Sequence, residues 1–227
     1  QIRRLLLRIN PNADLDNARF SAEVPQPSAT GQGSPIEMVL DAHFRTGSVL
    51  LWLSYFFGLI IFYALINWLP ILFKEATMSA ELGARVSGLF ALGGLGAVAS
   101  GYLMDKFNGN KLVALLALLS AASVALIGWA MAQGVAALAG VILFAGVVYN
   151  TMQASLPALA AQFYPVECRS TGVSWMLGIG RFGAIAGTFL TGQLLAWKLD
   201  YTAIFMILAL PALVVAACLL IKQKRYG

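Results

Sequence analysis

No charged residue occurs between Lys111 and Glu167. Because one bilayer crossing needs about 20 apolar residues, this uncharged run has room for two transmembrane helices and a turn. The composition agrees: 59% of the residues are hydrophobic and 11% are charged, whereas soluble domains carry roughly 25% charged residues. We therefore expect an integral membrane protein. Its net charge of +5 then reflects membrane topology rather than binding to nucleic acid.

The apolar runs predict an all-α fold with six transmembrane helices. Helices are favoured over barrel strands because the runs are continuous, whereas barrel strands are about ten residues long and alternate in polarity. The third and fourth spans share the uncharged run and must turn near Gln133 and Gly134. The predicted spans cover residues 47–73, 82–104, 111–132, 135–163, 168–196 and 201–221.

The beginning of the chain differs from the rest. Residues 1–45 contain a short basic amphipathic segment and the polar stretch SAEVPQPSATGQGSP, which cannot bury a core. We therefore expect residues 1–45 to form a cytoplasmic linker, residues 46–222 a six-helix transmembrane bundle and residues 223–227 a cytoplasmic tail. The chain starts with Gln1 rather than methionine, which suggests a fragment.

The positive charges predict the orientation of the chain in the membrane. With six spans both termini lie on one side, and the opposite side holds only Lys74 and Lys198, with Arg85 just inside the second span. Because positive residues concentrate in cytoplasmic loops, we expect both termini in the cytoplasm and the protein in the inner (plasma) membrane. The side assigned to the cytoplasm holds Arg3, Arg4, Arg8, Arg19, Arg45, Lys106, Lys111, Arg169, Lys222, Lys224 and Arg225.

Two loops resemble motifs of a transporter family. The segment GYLMDKFNGNK resembles the GxxxD(R/K)xG(R/K)(R/K)(R/K) loop of the major facilitator superfamily, with matches at Gly101, Asp105, Lys106 and Lys111. The segments YPVECRSTGVSWMLGIGRFGAIAG and LLWLSYFFGLIIFYALINWLPILF resemble the aromatic acid:proton symporters of that superfamily, which carry benzoate, 4-hydroxybenzoate and related acids. The resemblance covers nearly the whole chain, but only as helices 7 to 12 of a transporter.

This resemblance implies a secondary transporter of which the chain is the C-terminal half. It implies a small organic acid as substrate, a proton as coupling ion, no other cofactor, and a missing N-terminal six-helix half as partner. It also implies that Asp105 and Lys106 form a cytoplasmic gating network with Glu167 and Arg169 of the neighbouring loop. Asn108 stands where the motif has glycine, and we expect it to keep the turn because asparagine tolerates left-handed backbone better than most residues.

Arg181 lies deep inside the fifth predicted span. Arg169 marks the cytoplasmic end of the same helix, and the rise of about 1.5 Å per residue places Arg181 about 18 Å further in, near mid-membrane. A central arginine costs roughly 2.5–3.5 kcal/mol on insertion scales, so it should face a cavity or a partner. We predict that it binds the substrate carboxylate. A structural tie to backbone or a buried partner, and a role in gating or coupling, are the alternatives.

Polar side chains inside two other spans are candidates for lining the same pocket. Tyr149, Asn150 and Gln153 share one side of the fourth span, and Tyr63 and Asn67 are four residues apart in the first. Such side chains usually point into the helix bundle. We predict that they line the substrate site, with plain interhelical hydrogen bonds as the alternative.

Small residues and one charge pair predict local packing. Gly93, Ala97 and Gly101 recur every four residues in the second span, and Gly183 and Gly187 form GxxxG in the fifth. Such spacing lets helix backbones approach closely. In contrast to Arg181, Arg85 lies near a span end, four residues after Glu81, where an interfacial ion pair or a snorkelling side chain is expected.

Two absences shape the functional prediction. All acidic residues lie in loops or at span ends, so a titratable group for proton coupling is expected from the missing half. No catalytic, metal-binding or phosphate-binding motif is present, so we expect neither an enzyme nor a metal site. The alternatives are a transporter of the same superfamily for a sugar or another organic ion, or a free-standing six-helix membrane protein.

Overall fold

The computed structural model describes residues 34–75 and 79–227. The predicted basic segment, its four arginines and the polar stretch as far as Gly33 lie outside the described residues. Within the described ranges every regular element is a helix. The elements are α1 Pro35–Leu40, α2 Arg45–Glu75, α3 Ala80–Leu92, a 3₁₀ segment Gly93–Ala99, α4 Ser100–Lys106, α5 Gly109–Ala132, α6 Val135–Phe163, α7 Val166–Ala196 and α8 Tyr201–Tyr226.

The predicted all-α membrane architecture is confirmed. Helices α2, α5, α6, α7 and α8 are each long and apolar enough to cross a membrane. The second predicted span is not one straight helix: α4 is bent by 44° from the piece 81–98, which comprises α3 and most of the 3₁₀ segment, and together they make a sixth candidate span. Helix α8 continues to Tyr226, so the residues expected to form a tail extend the last helix instead.

Glycines explain the break in the second span. The 3₁₀ segment begins with GGLG, and glycine is about 1 kcal/mol less favourable than alanine inside a helix. A Cβ on Gly93 would collide with the backbone of Gly146 in α6, so the two helices touch backbone to backbone there. A Cβ on Gly101 would meet nothing within 4 Å among the described residues. The expected continuous strip of small residues is therefore interrupted, because the 3₁₀ segment and the bend turn Gly101 away.

The close approach predicted for α7 is confirmed, and its partner is α2. A Cβ on Gly183 would collide with the carbonyl oxygen of Phe56, and one on Gly187 with that of Ile60. One turn earlier, Gly180 leaves the space that the ring of Tyr55 fills. The three glycines therefore hold α2 and α7 together along about two helical turns.

The described end of the predicted linker belongs to the bundle. Ser34 and Glu37 form a capping box at the start of α1. Val39 is 1% exposed, and its carbonyl accepts a 2.9 Å hydrogen bond from the Ser48 hydroxyl of α2. The compact unit thus begins before the boundary predicted at residue 45, because α1 buries an apolar side chain against the helices that follow.

The core lies around α8. This helix packs against α2 on one side and α5 on the other, while α6 joins α5 to the broken span. Helix α7 is the least buried of the five long helices. Its side chains Phe182, Ile185 and Phe189 are 66%, 68% and 67% exposed. One side of α7 therefore packs on α2, with smaller contacts to α1 and α6, and the described residues do not cover the face that carries these three side chains.

Replacing Gly183 by alanine tests the contact between α2 and α7. The added methyl group has no room against the Phe56 carbonyl, so we expect a loss of about 1–3 kcal/mol in the free energy of unfolding. Gly178→Ala on the same helix is the control, because its Cβ meets nothing within 4 Å in the described residues and alanine gains up to about 1 kcal/mol of helix propensity. Thermal unfolding in detergent measures both, and equal stability of the two variants would contradict the packing described.

Candidate functional site

Two open cavities lie on adjacent sides of α2. The α2–α6 cavity, of about 340 Å³, is bounded by α2, the 3₁₀ segment and α6. The α2–α7 cavity, of about 560 Å³, is bounded by α2 and α7. Aromatic and polar side chains of α2 enter both, with Tyr55 and Phe62 in the first and Tyr63 and Asn67 in the second. This part of α2 is therefore the centre of the candidate site.

Arg181 lies at the midpoint of α7, with equal lengths of helix on either side. Its side chain is exposed and forms no hydrogen bond or ion pair with the described residues. The spacing of α7 places it one turn before Ala184 and Ile185, which line the α2–α7 cavity. The residue before it, Gly180, packs against the ring of Tyr55. A tie to backbone carbonyls or to a buried partner is thus not formed among the described residues.

Gln153 faces the α2–α6 cavity from α6. Its amide packs against Gly58, where a side chain would collide with it. The amide lies beside the Tyr55 hydroxyl, yet neither its nitrogen nor its oxygen forms a hydrogen bond of ordinary geometry within the described residues. Since buried polar groups are nearly always paired, this amide is available to a ligand in the cavity.

Asn150 also borders the α2–α6 cavity, but its amide nitrogen is occupied. It donates to the carbonyl of Phe90 at 3.0 Å and to that of Gly146 at 2.7 Å. Phe90 lies just before the 3₁₀ segment. There the backbone hydrogen bonds change from the α-helical to the 3₁₀ pattern, so carbonyl groups near the junction change their backbone partners. For Asn150 the structure therefore shows the alternative role, a hydrogen bond between helices. Through this bond Asn150 holds α6 to the broken second span.

Tyr149 is enclosed in the bundle rather than exposed to a cavity. It is 0% exposed, and its hydroxyl donates a 2.6 Å hydrogen bond to the carbonyl of Gly58 in α2. Its ring lies against Phe62 and Phe90 at centroid distances of 6.2 and 5.7 Å. In this arrangement the predicted pocket set is divided, with Gln153 at a cavity and Tyr149 between helices.

The other predicted pair, Tyr63 and Asn67, lines the α2–α7 cavity as expected from its spacing. The Asn67 amide donates to the Thr188 hydroxyl at 3.2 Å, and the neighbouring Trp68 indole donates to the Thr188 carbonyl at 3.1 Å. Thr188 itself lines the cavity. These bonds hold the polar side chains of α2 in register with the half of α7 that follows Arg181.

Tyr55 is a site residue that was not predicted from the sequence. It lines the α2–α6 cavity together with Gln153 and packs on Gly180, the residue before Arg181. It belongs to the run SYFFG, in which nothing distinguishes it from the packing aromatics beside it. The sequence does place Tyr55 eight residues before Tyr63, which is about two helical turns. This spacing indicates that the two tyrosines lie on nearly the same side of the helix.

The predicted gating network is not formed among the residues that the structure describes. Asp105, Lys106, Lys111, Glu167 and Arg169 are all exposed, and no ion pair joins them in the described ranges. The Arg169 guanidinium instead donates to the Tyr164 carbonyl at 3.3 Å. Because these five charged side chains are exposed to solvent and unpaired with one another, the described residues contain no lock between the two loops.

Two local expectations have different outcomes. The ion pair between Arg85 and Glu81 is confirmed at 2.6 Å, with both side chains 75% exposed. Asn108 keeps the turn before α5, but the left-handed backbone expected for it was wrong. Its φ is −60°, and its side-chain oxygen caps α5 by accepting from the Lys111 amide at 3.1 Å. Asn108 therefore stabilises this turn by capping α5, a role that asparagine favours, rather than by adopting the backbone conformation of a glycine.

The arrangement suits recognition of a flat anionic ligand. Arg181 offers a planar guanidinium for a carboxylate, Tyr55 and Phe62 offer ring surfaces, and Gln153 offers a hydrogen-bonding amide. Among residues 34–75 and 79–227 there is no group of His, Cys, Asp and Glu side chains that could hold a metal ion.

Comparison with known proteins gives consistent matches along the chain. The profile of the Major Facilitator Superfamily matches residues 6–188 and, in an overlapping match, 51–226. The 4-hydroxybenzoate transporter PcaK of Pseudomonas aeruginosa is 40% identical over 98% of this chain and 49% of its own length. The gallate transporter of Pseudomonas putida is 37% identical over 89% and 44%, and the benzoate transport protein of Acinetobacter baylyi 35% identical over 85% and 41%.

The chain spans about half the length of the curated relatives that it matches. These relatives are transporters rather than enzymes, in agreement with the prediction from the sequence. The apolar helices described above make the chain a multi-pass membrane protein. The profile match and the identities together show that the chain belongs to the Major Facilitator Superfamily.

Proposed function

We propose that this chain supplies one half of a secondary transporter for small aromatic carboxylates such as 4-hydroxybenzoate, and that Arg181 binds the carboxylate. The observation that carries the proposal is the exposed guanidinium at the midpoint of a transmembrane helix, one turn before the residues of that helix that line the α2–α7 cavity. The names of the relatives, which include 4-hydroxybenzoate, gallate and benzoate transporters, support this class of substrate.

The charge of Arg181 is the physical basis of carboxylate binding. A cation in the middle of a membrane is costly unless it faces water or an anion. A carboxylate offers two oxygens to the guanidinium fork, and such charge-assisted pairs are roughly twice as strong as neutral hydrogen bonds. Binding of an acid therefore offsets the cost of placing the arginine there.

The rest of the ligand would occupy the cavities beside α2. The ring would pack on Tyr55 and Phe62, and a ring hydroxyl would pair with the free amide of Gln153. Asn67 and Tyr63 border the α2–α7 cavity and would contact substrate at the adjacent side of α2. Tyr149 and Asn150 would support these contacts through the helices that they join.

A second half of similar size would complete the site. The uncovered surface of α7 carries Arg181 together with Phe182, Ile185 and Phe189. Transporters of this architecture bind substrate near the membrane midplane, at the interface of their two repeats. Helices α5, α6 and α8 contain no Asp or Glu, and in α7 the one acidic residue is Glu167, in its first turn. A carboxyl group for proton coupling would therefore come from the other half.

The distribution of charge supports a location for the protein. The positive residues of the short loops gather at the end of the bundle that holds the last turn of α8, which favours the cytoplasm for that end and would suit a protein of the inner membrane. The gating role of Gly101, Asp105, Lys106, Lys111, Glu167 and Arg169 would require partners in the other half, because these residues form no ion pairs with one another here.

Replacing Arg181 by alanine tests the proposed carboxylate contact. Uptake of labelled 4-hydroxybenzoate into cells should fall at least about tenfold, since a hydrogen bond to a charged group contributes about 1.5–3 kcal/mol. Arg85→Ala is the matched control, because this arginine is exposed near a helix end and paired with Glu81. The amounts of both variants in the membrane should equal that of the wild type, and unchanged uptake by Arg181→Ala would remove the proposed role.

Competition in the wild type tests the substrate class. Unlabelled aromatic acids should suppress uptake, whereas sugars and amines at the same concentration should not, because they carry no carboxylate for the guanidinium. Suppression by a sugar or an amine instead would favour the alternative substrate within the same family.

Two tyrosines separate the pocket from its support. Tyr55→Phe should weaken binding of 4-hydroxybenzoate by about threefold to tenfold and that of benzoate less, because only the hydroxylated ring uses the polar end of the cavity. Tyr149→Phe should leave both affinities unchanged and lower stability by about 1 kcal/mol, because its hydroxyl bonds Gly58. Competition assays and thermal unfolding measure the two effects. A larger affinity change in Tyr149→Phe would place Tyr149 in the pocket.

A further inference from the structure

A third cavity, of about 410 Å³, lies at the end of the bundle and is distant from Arg181. We call it the Lys222 cavity. It is bounded by the start of α5, the last turns of α6 and α8, and the loop before α2. Lys222 is the charged side chain that lines it, and this residue is only 4% exposed.

The ammonium group of Lys222 is incompletely paired among the described residues. Its nitrogen donates to the Asn110 side-chain oxygen at 2.9 Å and lies 4.7 Å from the centroid of the Phe163 ring. No carboxylate lies within ion-pair distance of it in the described ranges, and an ammonium has three hydrogens to donate. A buried charge without an opposite charge is costly, so an anion in the adjoining cavity would be stabilising.

The surroundings hold this lysine in place and add positive potential. Asn110, which stands where the family loop motif has a basic residue, also donates to the Gln223 side-chain oxygen at 3.1 Å. The first residues of α5 line the cavity, and the N-terminal end of a long helix carries a partial positive charge. Lys111, Lys224 and Arg225 lie at the same end and would attract anions.

We propose that the Lys222 cavity binds a phosphate group. The cavity lies where the transmembrane helices end, which is the depth of lipid headgroups, and its volume exceeds what a single water or halide ion would fill. Basic pockets between helices at such depths suit anionic headgroups. The phosphate can be that of an anionic lipid or a free phosphate ion, since both present the same oxygens to the ammonium.

The test uses the intact protein, purified in a neutral detergent. Binding is measured by native mass spectrometry and by the shift in unfolding temperature on addition of phosphatidylglycerol, phosphatidylcholine with the same chains, or inorganic phosphate. Phosphatidylglycerol should bind about tenfold or more tightly than phosphatidylcholine, whose phosphate is already paired with its choline. If inorganic phosphate alone shows the selective effect, the source is a free anion; if the lipid does, the source is a headgroup.

Substitutions assign the effect to Lys222. Lys222→Met should abolish the preference, while Lys224→Met, which removes the same charge from an exposed position two residues away, should retain it. If the methionine variant does not fold, Lys222→Gln takes its place. Glutamine is uncharged but can still donate a hydrogen bond to Asn110, so the same loss of preference is expected. Equal binding of the two lipids with no effect of phosphate, an unchanged preference in the Lys222 variants, or an equal loss in Lys224→Met would each overturn the proposal.

Discussion

The contact between α2 and α7 is the constraint on which the candidate site depends. Without side chains at Gly183 and Gly187, the backbones of the two helices touch. Hydrophobic burial does not drive helices together within lipid, so such close packing is a principal source of their association. It also fixes the site, because the same face brings Tyr55 against Gly180 and thus beside Arg181.

Polar side chains in the bundle form two groups, those that hydrogen-bond to other described residues and those that do not. Tyr149 and Asn150 donate to backbone carbonyls of neighbouring helices, so they stabilise this half by itself. Arg181 is exposed, and the Gln153 amide is buried at the border of the α2–α6 cavity; neither side chain donates to a backbone carbonyl among the described residues. Since unpaired polar groups are costly inside a membrane, the second group is the one whose partners must come from a ligand or from another part of the transporter.

The sequence predicted most of the fold because transmembrane helices are long, apolar and locally encoded. It predicted a second span but not its break, since hydropathy does not record how Gly93 meets α6. Helical spacing placed Tyr149 and Gln153 on one side of α6, yet only tertiary packing decides which one reaches a cavity. Tyr55 was missed because an aromatic residue in an apolar run has no local signature. The pairing of Lys222 with Asn110 joins residues far apart in the chain, so spacing gives no indication of it.

The central claim is that Arg181 recognises the carboxylate of an aromatic acid, and a binding comparison tests it most directly. The equilibrium affinities of 4-hydroxybenzoate and of its uncharged methyl ester are measured on the purified intact protein and on the Arg181→Ala variant. If Arg181 binds the carboxylate, the wild type binds the acid much more tightly than the ester, and the variant loses this difference. An acid-to-ester ratio that is the same in both proteins would contradict it.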